Sequence, residues 1–404
     1  MAQSQEDIWR SINGQHVQIP NMLQLFPSWT LKLHPEYDRA RDEILDPWIR
    51  RWVDNDRTCV KLQKAEFGIF AAILCADAPF DRFCTVAKYF TWYYLWDDIY
   101  DCGSLQGSSA TEMNRYRDAS MQYIRHHLLP EYTSPNLSLY PTELQKALLC
   151  WEEVGAHIRR VCSQETREIL SEAMLDYIQA VGDANALFDD GKTPSLEAYW
   201  ERRDHAAGIY PGIATIPFVY GVDITRSDVS NSDMKNLWKH TSYAVHIAND
   251  MLSLRKELND RQLENLVPVL ALNQGISINA AMQTSYEYAI ENTNGIETSA
   301  LAMEQSLGSG QRHLADAFSQ GCRDLAVRLV YWSYSGQRYF RANEIDAEGV
   351  VHFQIKTASS TKSPVATTKW SSRVPIAIVG SCLAVFSTIL LLFQPAASAF
   401  PTLR

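Results

Sequence analysis

The sequence predicts an all-α fold, a single helical bundle followed by one transmembrane helix, and three observations carry that prediction. From Tyr37 onward apolar residues recur at helical spacing, and over 111–129 and 142–187 no strand-length alternation competes with them. The stretches KLQKAEFGIFAAILCA and AKYFTWYYLWDDIY are apolar on nearly every side, as buried helices are. Residues 374–393 (VPIAIVGSCLAVFSTILLLF) carry no charge and have about the length that spans a hydrocarbon core.

Composition narrows the functional classes. A chain of 404 residues is long enough to bury a substantial core, and nothing in it forces a split into two ordinary domains. A net charge of -10 and the lack of a basic stripe argue against a nucleic-acid partner. The eight cysteines include no CxxC pair and no His neighbours at zinc-ligand spacing, so they read as small apolar residues in a reducing compartment. The opening MAQSQEDIWR is polar and acidic, unlike a secretory signal or a transit peptide, which places the bulk of the chain in the cytosol.

In chain order, residues 1–36 form an irregular wrapping segment in which Pro20, Pro27 and Pro35 prevent a long helix. Residues 37–345 form the helical domain. Within it, Gly208, Pro211 and Gly212 interrupt a helix just after the pair Arg202 and Arg203, and such a break exposes backbone groups where a ligand can approach. Residues 346–373 read as a disordered linker, most strongly in their Ser/Thr/Lys-rich part from Thr357. The apolar span 374–393 and a short tail 394–404 follow. Lys362, Lys369 and Arg373 precede the span and only Arg404 follows it, so the positive-inside rule keeps the long preceding part cytosolic, with the endoplasmic reticulum the expected membrane. A helix packed on the domain itself is the alternative, but the run is apolar all round rather than amphipathic.

The chemistry-bearing residues gather in two places. Asp97, Asp98 and Asp101 converge within one helical turn directly after Tyr93, Tyr94, Leu95 and Trp96. Like charges repel, and an unpaired buried carboxylate costs several kcal/mol, so the cluster calls for a cation. Oxygen-only ligands favour Mg²⁺ or Mn²⁺ over zinc. A solvated acidic helix end is the bland alternative, and the apolar turns before it weigh against that. In HIANDMLSLRKE, Asn249, Ser253 and Glu257 stand at i, i+4 and i+8, three oxygen ligands on one helix face, with Asp250 off that stripe and Lys256 beside it. Asp189 and Asp190 read as a turn and helix cap, and Asp54 and Asp56 lack the partner carboxylate that acid-initiated cyclisation needs.

DDIYD at 97–101 and NDMLSLRKE at 249–257 resemble the aspartate-rich and NSE motifs of class I terpene synthases, most like the fungal sesquiterpene cyclases. EFGIF around Phe67, PSLEAY with the following Arg pair, and the RY of QRYF fall in that family's order, and the resemblance runs from roughly Pro20 to Phe340. Arg203 precedes Asn249 by 249 − 203 = 46 residues, the family's spacing for a diphosphate-sensing arginine. The resemblance implies a bundle of antiparallel helices around an apolar cavity. It implies two Mg²⁺ ions on Asp97 and Asp101, a third on Asn249, Ser253 and Glu257, and diphosphate bound by Arg203, Lys256, Arg338 and Tyr339. By analogy of position Phe67, Tyr94 and Trp332 would wall the cavity, although for each of them an ordinary core role is an equal reading. The chain departs from the family pattern at Ala206 and Ala207, where relatives often carry Thr or Asp.

The implied activity is ionisation of an allylic prenyl diphosphate, farnesyl diphosphate first among them, and cyclisation of the cation to a sesquiterpene. The alternatives are an all-trans prenyl diphosphate synthase, which would need a second aspartate-rich motif in place of the Asn/Ser/Glu stripe, and an inactive membrane-tethered scaffold. The sequence leaves product and oligomeric state open.

Overall fold

The computed structural model describes residues 12–101, 105, 108–188, 194–259, 262–307, 309–336 and 338–355, the side chains of Asp98, Tyr100, Asp101, 183–188 and Ser309 excepted. The chain enters through a strand, β1 (His16–Ile19), which buries Val17 and Ile19. Three short helices, α1 (Asp46–Trp52), α2 (Asp56–Ala65) and α3 (Gly68–Leu74), lead to the long α4 (Phe80–Asp101). The Asn55 side chain caps the start of α2 by accepting from Thr58 N. Glu66 ends that helix in the left-handed conformation, at φ 52°.

The α4 helix is central because it has no polar face to offer solvent. Phe83, Ala87, Phe90, Thr91, Trp92, Tyr93, Leu95 and Trp96 are all buried, and together they point in every direction around its axis. Burying the larger apolar side chains among them stabilises the fold by roughly 1.5–3 kcal/mol each. The polar edges of the rings are satisfied: Trp92 Nε1 donates to Ala147 O at 2.8 Å and Trp96 Nε1 to Ser120 Oγ at 3.0 Å.

After α5 (Ala110–Leu128), the periodic run 142–187 divides at Cys150 and Cys162 into α6 (Thr142–Leu149), α7 (Glu152–Val161) and α8 (Gln164–Phe188). Next come α9 (Leu196–Ala206), α10 (Ile209–Ile213) and α11 (Ile216–Tyr220), separated where Gly208 takes φ +71° and Pro217 begins a new turn. The short α12 (Arg226–Ser230) precedes α13 (Ser232–Asn259). That helix packs along α15 (Ile278–Ser306) and α16 (Arg312–Ser335), with α14 (Leu266–Gln274) bridging them, and α16 in turn packs on α3.

Two expectations change here. The fold is helical but includes a two-stranded antiparallel sheet, in which β1 pairs with β2 (Val351–Gln354) in the register His16↔Gln354 to Ile19↔Val351. The segment expected to be a linker from residue 346 is therefore ordered as far as Ile355, and the compact unit ends at Thr357. The physical reason is a period-two pattern: Val351, Phe353 and Ile355 are buried and alternate with His352 and Gln354, which are not.

Among the described residues no helix is long and apolar enough to cross a membrane. The span 374–393 lies outside them, as do Asp189, Asp190 and the Ser/Thr/Lys-rich stretch 357–373. Six cysteines lie in the described regions and all are free thiols, five of them buried, with burial pushing Cys84 up to about 11 and Cys322 up to about 12. Both fit the inert apolar role that the sequence suggests.

Candidate active site

A cavity of about 260 Å³ opens between α4, α8, α9, α13 and α16. Its lining is sorted along three of these elements. On α4 the order is Phe90, Tyr93 and Tyr94, then Asp97; on α13 it is Val245 and His246, then Asn249, Ser253, Lys256 and Glu257. From α16 outward it is Arg328 and Leu329, then Arg338 and Tyr339 beyond the helix. Apart from His246 and Arg328, the polar groups thus collect where these elements end, and the rings lie further back along them. Both acidic segments sit at the C-terminal ends of their helices, where the macrodipole is negative and favours a bound cation over a bare carboxylate.

The polar end is held by one buried carboxylate. Asp250, wholly buried, accepts from Arg203 Nε at 3.0 Å and Nη2 at 2.6 Å on one oxygen, and from Leu266 N at 2.6 Å and the Tyr199 hydroxyl on the other. Leu266 N is the first amide of α14, so a helix N-terminus also points at this carboxylate. Burial works against the Arg203 charge, but Asp250 outweighs it and holds the guanidinium above its ordinary range. Arg203 Nη2 also donates to Asn249 Oδ1 at 2.9 Å, and Asn249 Nδ2 donates to the Tyr339 hydroxyl at 3.2 Å.

One turn on, Ser253 Oγ donates to Glu257 Oε1 at 2.6 Å, and Asn265 Nδ2 donates to Glu257 Oε2 at 2.9 Å. Asn265 also caps α14, accepting from Val267 N, so one side chain fixes both the next helix and the glutamate. Desolvation, with the Asp250 charge adding to it, raises the Glu257 carboxyl above the usual glutamate range.

Asn249, Ser253 and Glu257 are brought together on one face as their spacing requires, and Asp97, Arg203, Lys256, Arg338 and Tyr339 line the same cavity. The side chain of Asp101 lies outside the described residues. Among those described, no three His, Cys, Asp or Glu side chains converge, since the stripe contributes an amide, a hydroxyl and one carboxylate. The donor set nonetheless fits a hard divalent cation. It is all oxygen, its carboxylate is desolvated, and the Asn249 carbonyl keeps a lone pair beyond the one that Arg203 engages.

Of the three expected wall aromatics only Tyr94 faces the cavity. Phe67 stacks behind Tyr94 with ring centroids 3.7 Å apart, and Trp332 packs edge-on against Phe70 at 4.7 Å while its Nε1 donates to Ala65 O at 2.6 Å. Phe70, Phe90, Tyr93 and Tyr177 supply the wall instead. Arg338 lies over the Tyr94 and Phe67 rings, at 5.2 and 5.5 Å from their centroids. Asp54, set aside on sequence grounds, pairs with Lys146 at 2.5 Å and is not part of the lining of this cavity.

Sequence reasoning missed Asp250, Asn265 and Arg328. Asp250 adjoins the stripe and Asn265 sits at a recognisable helix start, whereas Arg328 carries no signal beyond being a cation in an apolar helix.

A family model described as "Terpene synthase family 2, C-terminal metal binding" matches residues 88–292. The chain is similar to terpene cyclase braA of Annulohypoxylon truncatum, 24% identical over 345 residues that cover 82% of this chain and 88% of that protein. It is also similar to sesquiterpene cyclase hepA of Aspergillus oryzae, 22% identical, covering 84% of this chain and 94% of the relative. Among solved structures it resembles an α-eudesmol synthase, with a TM-score of 0.66 at 17% identity, covering 76% of this chain and 97% of that one. A linalool/nerolidol synthase from Streptomyces clavuligerus in complex with 2-fluorogeranyl diphosphate gives a TM-score of 0.62 at 18% identity, covering 77% of this chain and 98% of that one.

Proposed function

Because the chain belongs to terpene synthase family 2 and is a terpene synthase, we propose that it ionises farnesyl diphosphate with the help of Mg²⁺ and cyclises the resulting cation to a sesquiterpene, releasing diphosphate. The observation that carries this reading is the lining of the cavity, with the oxygen donor stripe, Arg203, Lys256 and Arg338 gathered at one end and the aromatic rings, two of them covered by Arg328, at the other. C–O ionisation separates a diphosphate anion, which keeps the bonding electron pair, from a hydrocarbon cation, and such a cavity favours each fragment at its own end.

In this reading Asp97 and Asp101 hold two Mg²⁺ ions, and Asn249, Ser253 and Glu257 hold a third. When bound, the metal supplies charge that stabilises the departing diphosphate. Arg203, Lys256, Arg338 and Tyr339 bind the diphosphate oxygens, with Arg203 held in place by Asp250. Tyr93 and Tyr177 present ring faces to the cation, and together with Tyr94, Phe70 and Phe90 they exclude water from it.

The test is incubation of the chain with Mg²⁺ and C10, C15 or C20 prenyl diphosphates, reading diphosphate release and volatile products. A cyclic C15 hydrocarbon or alcohol from farnesyl diphosphate is the expected result. A longer prenyl diphosphate would identify a chain-elongating enzyme, and absence of diphosphate release would identify a scaffold.

We further infer that residues 374–393 anchor the enzyme in a membrane, joined to the catalytic domain by the Ser/Thr/Lys-rich 358–373, with that domain on the cytosolic side. The uncharged twenty-residue length and the basic residues that precede it support this. Resistance of the full chain to alkaline carbonate extraction, lost when it is stopped before Val374, is the expected result; recovery of the full chain in the soluble fraction would refute the anchor.

A further inference from the structure

The inner end of the cavity holds a positive charge that the reaction above does not use. Arg328 is 6% exposed and lines the cavity, yet no carboxylate pairs with it among the described residues. Its guanidinium carbon lies 3.9 Å from the Phe90 ring centroid and 5.1 Å from that of Phe70, and its Nη1 donates to Phe70 O at 3.4 Å. Those are the contacts holding a buried cation, one long hydrogen bond and two ring faces. Burial brings it down to about 10, which still leaves it charged at pH 7. The nearest acidic group on its own helix is Asp324, one turn earlier, whose carboxyl burial pushes up to about 7 and which is engaged by Tyr220 and Gln320.

Arg328 is also far from the diphosphate end. Its ring partner Phe90 precedes Asp97 on α4 by seven residues, a helical rise of about 10 Å. It therefore sits too deep to serve the leaving group, and a buried unpaired charge is costly to keep for packing alone.

We propose that Arg328 is a specificity-determining end-stop for positive charge: by occupying the Phe70 and Phe90 faces at the inner end of the cavity, it confines the substrate-derived carbocation to the Tyr93 and Tyr177 side, nearer the diphosphate. The physical basis is direct. A ring already polarised by a guanidinium on one face attracts a second cation less, and the two like charges repel across a cavity wall with little water to screen them. Cation rearrangements that would carry charge to the inner end are disfavoured, so the product set is restricted to those that keep it outward. This inference rests on the terpene cyclase reading.

Arg328→Met keeps length and apolar bulk while removing the charge, and Arg328→Lys restores a charge without the planar stacking group. Replacing a buried charge with an apolar side chain of similar volume is often neutral or stabilising, so the Met variant should melt no lower than the unaltered chain. If Arg328→Met nevertheless fails to fold, Arg328→Gln takes its place. Two readouts are made on the full chain at pH 7. The first is the binding of benzyltrimethylammonium, a permanent cation, in the presence of inorganic diphosphate and Mg²⁺, measured by calorimetry without turnover. The second is the product ratio from farnesyl diphosphate.

We expect Arg328→Met to bind the ammonium at least about tenfold more tightly and to redistribute the products, with Arg328→Lys returning both toward the original values. Unchanged ammonium affinity and product ratios in Arg328→Met would overturn the proposal, as would an Arg328→Lys variant that follows the Met variant in both. Failure of the unaltered chain to release diphosphate from any prenyl diphosphate would instead remove the cyclase reading, and the ammonium comparison reports on the end-stop independently of that.

Discussion

Arg203 Nη2 stands 2.6 Å from Asp250 Oδ1 and 2.9 Å from Asn249 Oδ1, so a single guanidinium joins consecutive residues of α13 to the helix that precedes the break at Gly208. Asp250 is thereby the positioning residue for the proposed diphosphate arginine. Asp250→Ala would leave Arg203, the Tyr199 hydroxyl and the Leu266 amide without their acceptor. We expect a loss of about 3–5 kcal/mol of stability, read as a lowered urea midpoint. Asp250→Asn keeps an acceptor and should lose less, while weakening diphosphate affinity through a less firmly held Arg203.

Asp97→Asn and Glu257→Gln each remove a proposed metal ligand without changing volume. Both variants should fold and lose turnover by about 10²-fold or more, comparable to the loss of other charge-stabilising groups. Near-original turnover of either at limiting Mg²⁺ would show that its carboxylate does not hold the metal.

The aromatic wall separates what the sequence encodes from what it leaves out. The helical class, the stripe Asn249, Ser253 and Glu257 and the break at Gly208 are local patterns, fixed by spacing within one or two turns. Which ring of α4 faces the cavity is another matter, because a helix apolar on every side carries no periodic mark of its inner face. Asp250 and Arg203 lie 47 residues apart, and Arg328 and Phe70 258 apart, so their pairings appear only once the chain is folded. The strand β2 rests on an alternation over Val351, Phe353 and Ile355, a signal too short to separate it from the polar Ser/Thr/Lys-rich stretch that follows.

From that geometry, Trp332→Ala is a core truncation before it is a change of cavity shape. It removes a fully buried ring and the donor to Ala65 O. We expect a cost of about 3–5 kcal/mol. Tyr94→Leu, on the cavity face, should shift product ratios more than Phe67→Leu, which stands one ring behind it. Gas-chromatographic product profiles alongside melting temperatures distinguish the two kinds of effect.

Asp324 sets a pH dependence of stability. Burial raises its carboxyl from its ordinary 3.8 to about 7, against the opposing hydrogen bonds from Gln320 and Tyr220 and the charges of Arg328 and Arg323. Between these two values the folded chain holds a proton that the unfolded chain has lost, so this group's contribution falls as pH rises through that window. The slope approaches 1.4 kcal/mol per pH unit at most. Asp324→Asn should flatten the decline in urea midpoint between pH 5 and 8; an unchanged decline would assign it to other groups.

The segment after α16 is part of the site's support. Arg255, near the end of α13, donates to Tyr339 O, pairs with Glu344 and lies 5.4 Å from the Phe353 ring centroid on β2. Strand β2 is in turn fixed by its pairing with β1, and Tyr334 donates to Gly349 O at 2.9 Å while accepting from Met22 N at 3.2 Å. The backbone that presents Arg338 and Tyr339 is therefore tied to residues beyond 340, through Arg255, which pairs with Glu344 and packs by Phe353, and through Tyr334, which bonds Gly349. A chain stopped after Ile345 loses β2 and the ring beneath Arg255, whereas one stopped after Thr357 keeps the whole compact unit. We expect the longer form to retain the melting temperature and turnover of the full chain. The shorter form should melt lower and show a raised KM for the prenyl diphosphate, because the groups freed are those proposed to bind it. Equal KM values for the two forms would mean that Arg338 and Tyr339 are held without the strap.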